Sequence, residues 1–214
     1  MKNGKPKIVV VDYGVGNLQN AVSAVALYAN VSLTSDAEEI READGVVLPG
    51  VGSYPSGMDG LTKRGLIAPI LDVVRRGVPL LGICLGAQLL LEKSTEFGET
   101  EGLGIISGNV VRFPELSEDA KIPNIGWRPL GITEEGKDSV LLDGVPDETL
   151  MFFIHSYVLQ PADKKAVLAT SEHGGYTFAS VVRKDAVFGT QFHPEKSGKL
   201  GLRIVENFVR IVSR

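Results

Sequence analysis

Residues 78–90, VPLLGICLGAQLL, hold the strand, turn and helix on which the fold prediction rests. The first half is an apolar run typical of a buried strand, and a helix is predicted over 85–93 with no polar linker before it. Cys84 lies between Gly82 and Gly86, which is the spacing of a nucleophile elbow. Small residues at these two positions let the backbone pass closely, and the helix amino terminus favours a thiolate. We predict that Cys84 is a nucleophile at the carboxyl edge of a parallel sheet, the alternative being a small buried apolar residue.

Outward from this stretch, the first half of the chain alternates strand-like and helix-like segments. Strands are predicted over 8–11, 46–48, 78–83, 150–158, 166–170, 178–182 and 187–192. Helices are predicted from Leu18 to Ala29, over 61–76 and 85–93, and at the carboxyl end. Unalternating strands separated by helices favour a parallel sheet covered on both faces, and the later strands favour an antiparallel or mixed extension of it. We predict one α/β domain over residues 1–214.

Composition excludes several classes of protein. The chain has 214 residues, of which 43% are hydrophobic and 22% charged, with a net charge of -4. This balance offers no basic footprint for nucleic acid and no polybasic membrane anchor. No segment reaches the roughly 20 apolar residues of a membrane-spanning helix. A single cysteine allows no internal disulfide, so we expect a cytoplasmic protein.

A nucleophilic cysteine needs a base, and His193 in residues 189–195, GTQFHPE, is the predicted one. In extended chain residues two apart point to the same side, so Glu195 would hold the His193 ring. His155 could line the same sheet edge, whereas His173 is predicted to be a solvated turn residue. The glycine loop 50–52 follows a predicted strand and could offer backbone N–H groups to an oxyanion, the alternative being a plain turn.

Two glycine pairs and the three histidines are the candidates for a cofactor or metal motif. The pairs at 14–16 and 50–52 both lack the third glycine of a dinucleotide fingerprint, and Met58 stands where a phosphate loop needs lysine. One cysteine and three scattered histidines give no zinc spacing. We expect no metal and no tightly bound cofactor.

Five motifs together resemble one family of enzymes. They are DYGVGN at 12–17, PGVG at 49–52, GICLGAQ at 82–88, FIHSY at 153–157 and GTQFHPEKS at 189–197. With them the chain resembles the class I glutamine amidotransferases, and among these the glutaminase subunits of imidazole glycerol phosphate synthase. The resemblance implies that Cys84 attacks the side-chain carboxamide of glutamine, that His193 moves the proton, and that Glu195 holds the imidazole ring.

The same resemblance implies further site residues. The backbone N–H groups of Val51 and Leu85 would form the oxyanion hole, after a reorientation of the strand that also contains Gly50 and Gly52. Gln88 and Glu96 match positions that hold the amino-acid end of glutamine.

The resemblance also implies a partner. The ammonia would pass to a separate (β/α)8-barrel cyclase subunit, which makes imidazole glycerol phosphate and aminoimidazole carboxamide ribotide for histidine biosynthesis. The predicted docking residues are Asn124, Trp127, Tyr157 and Lys196. Asn124 stands where the family usually has a histidine, and an asparagine cannot titrate. Two alternatives remain open, namely a glutaminase subunit of another class I enzyme such as pyridoxal phosphate synthase, and a non-catalytic scaffold.

Overall fold

The computed structural model describes residues 4–16 and 18–214, so Asn17 of the DYGVGN motif and residues 1–3 lie outside the described residues. The strands are β1 (Lys7–Val11), β2 (Asn30–Thr34), β3 (Gly45–Leu48), β4 (Leu80–Ile83), β5 (Lys93–Ser94), β6 (Thr100–Glu101), β7 (Gly108–Arg112), β8 (Asn124–Ile132), β9 (Thr149–His155), β10 (Tyr157–Pro161), β11 (Val167–His173), β12 (Tyr176–Lys184) and β13 (Val187–Thr190). The helices are α1 (Gln19–Ala26), α2 (Ala37–Arg41), α3 (Tyr54–Lys63), α4 (Ile67–Arg75), α5 (Leu85–Leu89), α6 (Glu134–Lys137) and α7 (Gly198–Val212).

The strands form one continuous sheet with a parallel half and a mostly antiparallel half. Its order is β2-β1-β3-β4-β13-β12-β10-β7-β5-β6, and β2 to β13 in this order run parallel. From β12 onward the pairing is antiparallel except between β5 and β7, and β11 branches from β12 to the β8–β9 pair. The predicted α/β architecture, with an antiparallel or mixed extension, is confirmed.

Apolar side chains cover both faces of the parallel half. In β1, Ile8 and Val10 belong to the core under α1 and α7, while Val9 and Val11 belong to the core under α3 and α4. Strands buried on both sides have no polar face, which is why their sequences read as unbroken apolar runs. Within the described residues, no helix combines the length and the apolar character needed to cross a bilayer.

Several element boundaries differ from the prediction. The helix predicted over 61–76 is two helices, α3 and α4, separated by a turn in which Gly65 has φ of +66°. The helix predicted over 85–93 ends at Leu89, and the strand predicted over 150–158 is interrupted at Ser156. The prediction also missed α2 and several short or half-exposed strands, including β2 and β8.

The turn at Cys84 brings two backbone segments so close together that only glycine fits at positions 82 and 86. An ideal Cβ on Gly86 would overlap the carbonyl oxygen of Leu48, and one on Gly82 would lie 2.8 Å from the Cα of Ala87. Both obstacles are backbone atoms, which cannot rotate away. The contact presses the start of α5 against the end of β3 and leaves Cys84 at the carboxyl edge of the sheet.

We predict that Gly86→Ala destabilises the fold by about 1–3 kcal/mol, because β3 and α5 must separate to admit the methyl group. Chemical unfolding in urea measures the change in the free energy of unfolding. Gly131→Ala in β8 is the matched control, since its Cβ would meet Thr170 at an ordinary 3.4 Å. Equal stability of the two variants would contradict the close approach.

Candidate active site

Cys84 occupies a strained backbone position between β4 and α5. Its φ is +53° and its ψ is -108°, outside the regions that a non-glycine residue normally adopts. The backbone N–H donates to the carbonyl of Thr190 at 2.7 Å, which fastens the turn to the end of β13. The thiol lies 3.8 Å from the carbonyl oxygen of Ile154. A strained residue with a free thiol at the carboxyl edge of a parallel sheet is the geometry of a nucleophile.

His193 and Glu195 form the predicted pair, but by a different local structure from the one expected. Nδ1 of His193 lies 2.7 Å from a carboxylate oxygen of Glu195, and both side chains are nearly buried. The chain between them is not extended: β13 ends at Thr190, and a short 3₁₀ turn over Pro194–Lys196 brings the carboxylate back to the ring. The contact holds Nδ1 as the donor and leaves Nε2 for other chemistry.

The surroundings of His193 favour its protonated form. Burial lowers the pKa of the imidazole, but the Cys84 sulfur and the Glu195 carboxylate raise it more, from 6.5 to about 9. Nε2 is buried, and Cys84 is the group beside it that raises the pKa of the ring. A proton arriving at Nε2 from the thiol would therefore be held there at neutral pH.

Three of the four predicted substrate-binding residues, Gly52, Gln88 and Glu96, meet at one cavity, whereas Gly50 lines the smaller cleft beside His193. The cavity has a volume of about 260 Å³ and is lined by Val51, Gly52, Cys84, Leu85, Gln88, Glu96, Pro123, Ile154, His155, Ser156 and Tyr157. Glu96 reaches it from the loop after β5, and one carboxylate oxygen accepts the backbone N–H of Tyr54 at 2.6 Å. Gln88 enters from α5 and donates to the carbonyl of Tyr157. The cavity joins a nucleophile to polar groups suited to an amino acid.

The two predicted oxyanion donors do not converge in this structure. The backbone N–H of Leu85 donates to the carbonyl of Gly50 at 3.3 Å. In a trans peptide the C=O and the N–H point in opposite directions, so the N–H of Val51 points away from Leu85. Tyr13 fixes the preceding residue by donating to the carbonyl of Pro49 at 2.6 Å, while Gly52, with φ of +131°, has open space around it. The peptide between Gly50 and Val51 must turn before both donors face one oxygen.

Asn124 lies inside the chain rather than on its surface. It is fully buried, and its Nδ2 donates to Nε2 of His155 at 3.1 Å. Nδ1 of His155 donates to the carbonyl of Tyr157 at 2.8 Å. Burial lowers the pKa of His155 to about 3, so the ring is neutral between these two partners. Because the Asn124 side chain is buried, it presents no atom to a partner. The docking prediction therefore applies to the backbone of β8 and not to this side chain.

The prediction that His173 is a solvated turn residue is wrong. His173 is buried at the end of β11. Its Nδ1 faces Arg128 at 3.1 Å and its Nε2 donates to the carbonyl of Lys121 at 2.9 Å. A charged side chain and a backbone carbonyl thus satisfy both ring nitrogens away from the cavity.

Among the other predicted docking residues, Trp127 lies on an exposed apolar face of the β8–β9 pair. We call this surface the ladder face; its exposed apolar members are Ile125, Trp127, Leu150 and Ile154. In the pairing register Ile125 is opposite Ile154, so the face runs to the rim of the cavity. Tyr157 lines the cavity, and Lys196 lies beside His193 and Glu195 at a smaller cleft.

Sequence reasoning missed three residues that support the site. Ser197 accepts the backbone N–H of Phe152 at 3.0 Å and donates to the carbonyl of His193 at 2.7 Å, which ties the base to β9. Ile154 supplies the carbonyl that faces the thiol. Gln191 is fully buried with its Nε2 3.9 Å from the Cys84 sulfur. Ser197 and Gln191 lie within the GTQFHPEKS motif. The motif indicated this segment but did not indicate what either residue does.

Metal binding has no support in the part of the chain that the structure describes. No group of three or more His, Cys, Asp or Glu side chains in residues 4–16 and 18–214 is placed to hold a metal ion.

Comparison with known proteins gives one consistent answer. A profile of the family "Glutamine amidotransferase class-I" matches residues 9–212. A relative from Legionella pneumophila (strain Lens), "Imidazole glycerol phosphate synthase subunit HisH 1", is 45% identical over 210 residues, covering 95% of this chain and 99% of the relative. The HisH subunit of Methanocaldococcus jannaschii, with the same synthase name, is 43% identical over 205 residues, covering 96% of this chain and all (100%) of the relative.

A solved structure described as PurLQS from Thermotoga maritima is also similar. It matches with a TM-score of 0.74 at 20% identity, over 96% of this chain and 98% of that chain. At this identity the likeness supports the fold alone.

We predict that Glu195→Gln lowers the pKa of His193 from about 9, because the imidazolium loses the carboxylate that stabilises its charge. A fall of at least about one unit is expected, and an NMR titration of the ring measures it. The exposed Glu206→Gln on α7 removes one carboxylate elsewhere and controls for net charge. An unchanged titration midpoint of His193 would show that the Glu195 carboxylate does not stabilise the charged ring.

Proposed function

This chain belongs to the class I glutamine amidotransferases, and we propose that it is the glutaminase subunit of an imidazole glycerol phosphate synthase in histidine biosynthesis. One observation carries the proposal: the side chain of Cys84 at the elbow lies against the His193 ring and raises its pKa, and the same ring is bonded to Glu195. The relatives that are 43–45% identical across nearly the whole chain bear the name of this synthase. That name favours this enzyme over pyridoxal phosphate synthase, and the complete triad argues against a scaffold.

In the proposed reaction, glutamine is split in two steps. The Cys84 sulfur bonds to the side-chain carbonyl carbon, the C–N bond breaks, and the thiol proton leaves with ammonia by way of Nε2 of His193. Water then attacks the thioester, releasing glutamate and returning a proton to the sulfur. Glu195 holds the ring and stabilises its charge, which agrees with the raised pKa of His193.

The cavity supports glutamine as the substrate. Its volume of about 260 Å³ is just below the roughly 300–1,000 Å³ of pockets for drug-sized ligands. The side chains of Gln88 and Glu96 both line the cavity and carry oxygens that can accept from the α-ammonium group. Gly52 lines the cavity with open space where a Cβ would stand, so no side chain at this position occupies the place proposed for the substrate.

The oxyanion hole is proposed to form only after a peptide turns. In the described state the Leu85 N–H is engaged by the Gly50 carbonyl. A turn of the peptide between Gly50 and Val51 would free Leu85 and aim the Val51 N–H at the same oxygen. Such a donor pair contributes on the order of 10²–10³-fold per donor in known acyl-transfer sites. This peptide is therefore the proposed point of control.

The proposed partner is a (β/α)8-barrel cyclase subunit docked on the ladder face. Trp127 is 47% exposed and Ile125 is 57% exposed, although both are large apolar side chains on one strand. Exposed apolar side chains that lie side by side on one face are typical of interaction sites. Because the face reaches the cavity rim at Ile154, ammonia could pass to a docked subunit without entering water, where it would be protonated. Tyr157 and Lys196 would lie near the edge of that contact. We propose a cytoplasmic location and one amidotransferase domain over residues 1–214.

We predict that Cys84→Ala lowers glutamine-dependent turnover of the assembled synthase by at least about a thousandfold, because no other group can form the thioester. Turnover with added ammonium salts should be retained, since the cyclase would not need the thiol. Product formation with each nitrogen source measures both. Loss of both activities would contradict a purely glutaminase role.

We also predict that Ile125→Lys weakens binding to the cyclase by roughly tenfold or more, because a charge replaces an apolar contact in the proposed interface. Titration calorimetry or sedimentation measures the dissociation constant. The control is Leu33→Lys, an exposed apolar residue on β2 at the opposite edge of the sheet. Equal binding by the two variants would place the interface elsewhere.

A further inference from the structure

The side chains of two buried glutamines, Gln88 and Gln191, are hydrogen-bonded to each other beside Cys84. Nε2 of Gln88 donates to the carbonyl of Tyr157 at 3.1 Å and to Oε1 of Gln191 at 3.2 Å. An amide nitrogen carries only two hydrogens, so both are used. Only Oε1 of Gln88 remains to face the cavity, and it can act only as an acceptor.

The same contact sets the orientation of Gln191. Because its Oε1 accepts from Gln88, its Nε2 is directed to the other side, where it lies 3.9 Å from the Cys84 sulfur. Turning either amide over would place two oxygens or two NH₂ groups against each other. Gln191 is fully buried and Gln88 is 5% exposed, so water cannot compensate for such a mismatch.

We infer that Gln191 is a positioning residue for the reaction of Cys84: its amide donates to the sulfur, and its carbonyl holds Gln88 in the orientation that accepts the substrate's ammonium group. A hydrogen bond to sulfur strengthens when the sulfur is charged, so the donor favours the thiolate over the thiol. The inference rests on the proposed function, because it assigns Gln191 to the nucleophile and substrate end of that site.

The assignment differs from a purely structural role for a buried glutamine. The backbone N–H of Gln191 already bonds to the carbonyl of Ser180 at 2.9 Å, which fixes the chain without help from the side chain. If the Gln191 side chain only filled space, replacing it would leave the pH dependence of Cys84 chemistry unchanged. If it donates to the sulfur, replacing it changes that pH dependence.

The test is alkylation of the full chain by iodoacetamide across a range of pH. The thiolate displaces iodide and forms an S–C bond, and Cys84 is the chain's only cysteine, so mass spectrometry reports a single site. Gln191→Glu keeps the shape and the acceptor for Gln88 but puts a carboxylate beside the sulfur. Gln191→Met keeps the length and removes both donor and acceptor. The control is Gln160→Glu, the same change on an exposed residue of β10.

We expect Gln191→Glu to slow alkylation at pH 7 by at least about tenfold and to displace the pH profile by one unit or more to higher pH. Gln191→Met should give a smaller displacement in the same direction, and Gln160→Glu none. In the assembled synthase, Gln191→Met should also raise KM for glutamine, because Gln88 is then free to rotate, whereas Gln191→Glu should act mainly on kcat.

Two results separate the inference from the proposed function. A wild-type profile in the Glu variant, or in the Met variant if the Glu variant does not fold, would overturn the role of Gln191 alone. Glutamine-dependent turnover of the assembled synthase that survives Cys84→Ala would instead overturn the proposed nucleophile.

Discussion

The site depends on one close backbone contact, the start of α5 pressed against the carbonyl of Leu48 through Gly86. This contact ends β4 abruptly and gives Cys84 its positive φ. A wider turn would relieve the strain and withdraw the sulfur from the sheet edge. The cavity, the imidazole base and the glycine loop are useful only because the nucleophile is held at their meeting point. Strain at Cys84 is supported by packing on both faces of the sheet.

Strand β9 links the nucleophile, the base and the ladder face. Its Ile154 carbonyl faces the thiol, and its Phe152 carbonyl accepts the backbone N–H of His193 at 3.0 Å. Ser197 adds a second bond between the same two segments. Alternate residues of this strand form the exposed apolar surface. A partner that covers the ladder face would therefore contact the strand that bonds to both of the proposed reacting groups, Cys84 and His193.

Much of the fold could be predicted because its signals are local. The doubly buried strands are apolar runs, and the elbow is marked by two glycines around Cys84. Other features depend on contacts between distant segments. The polar and glycine residues of β8 form a strand because β9 pairs with them. A short turn at Pro194, and not an extended chain, brings Glu195 to His193. The engagement of Leu85 by Gly50 and the amide pair at Gln191 join segments far apart in sequence, so no spacing could indicate them.

The hydrogen bond from Leu85 to the Gly50 carbonyl has a consequence for the cell that makes this chain. While it persists, one of the two proposed oxyanion donors is engaged by the protein itself, so glutamine in the proposed site would meet an incomplete oxyanion hole. Copies synthesised in excess of the proposed cyclase partner would then leave the glutamine pool intact. The two subunits would not need matched expression, because the surplus would be idle rather than wasteful.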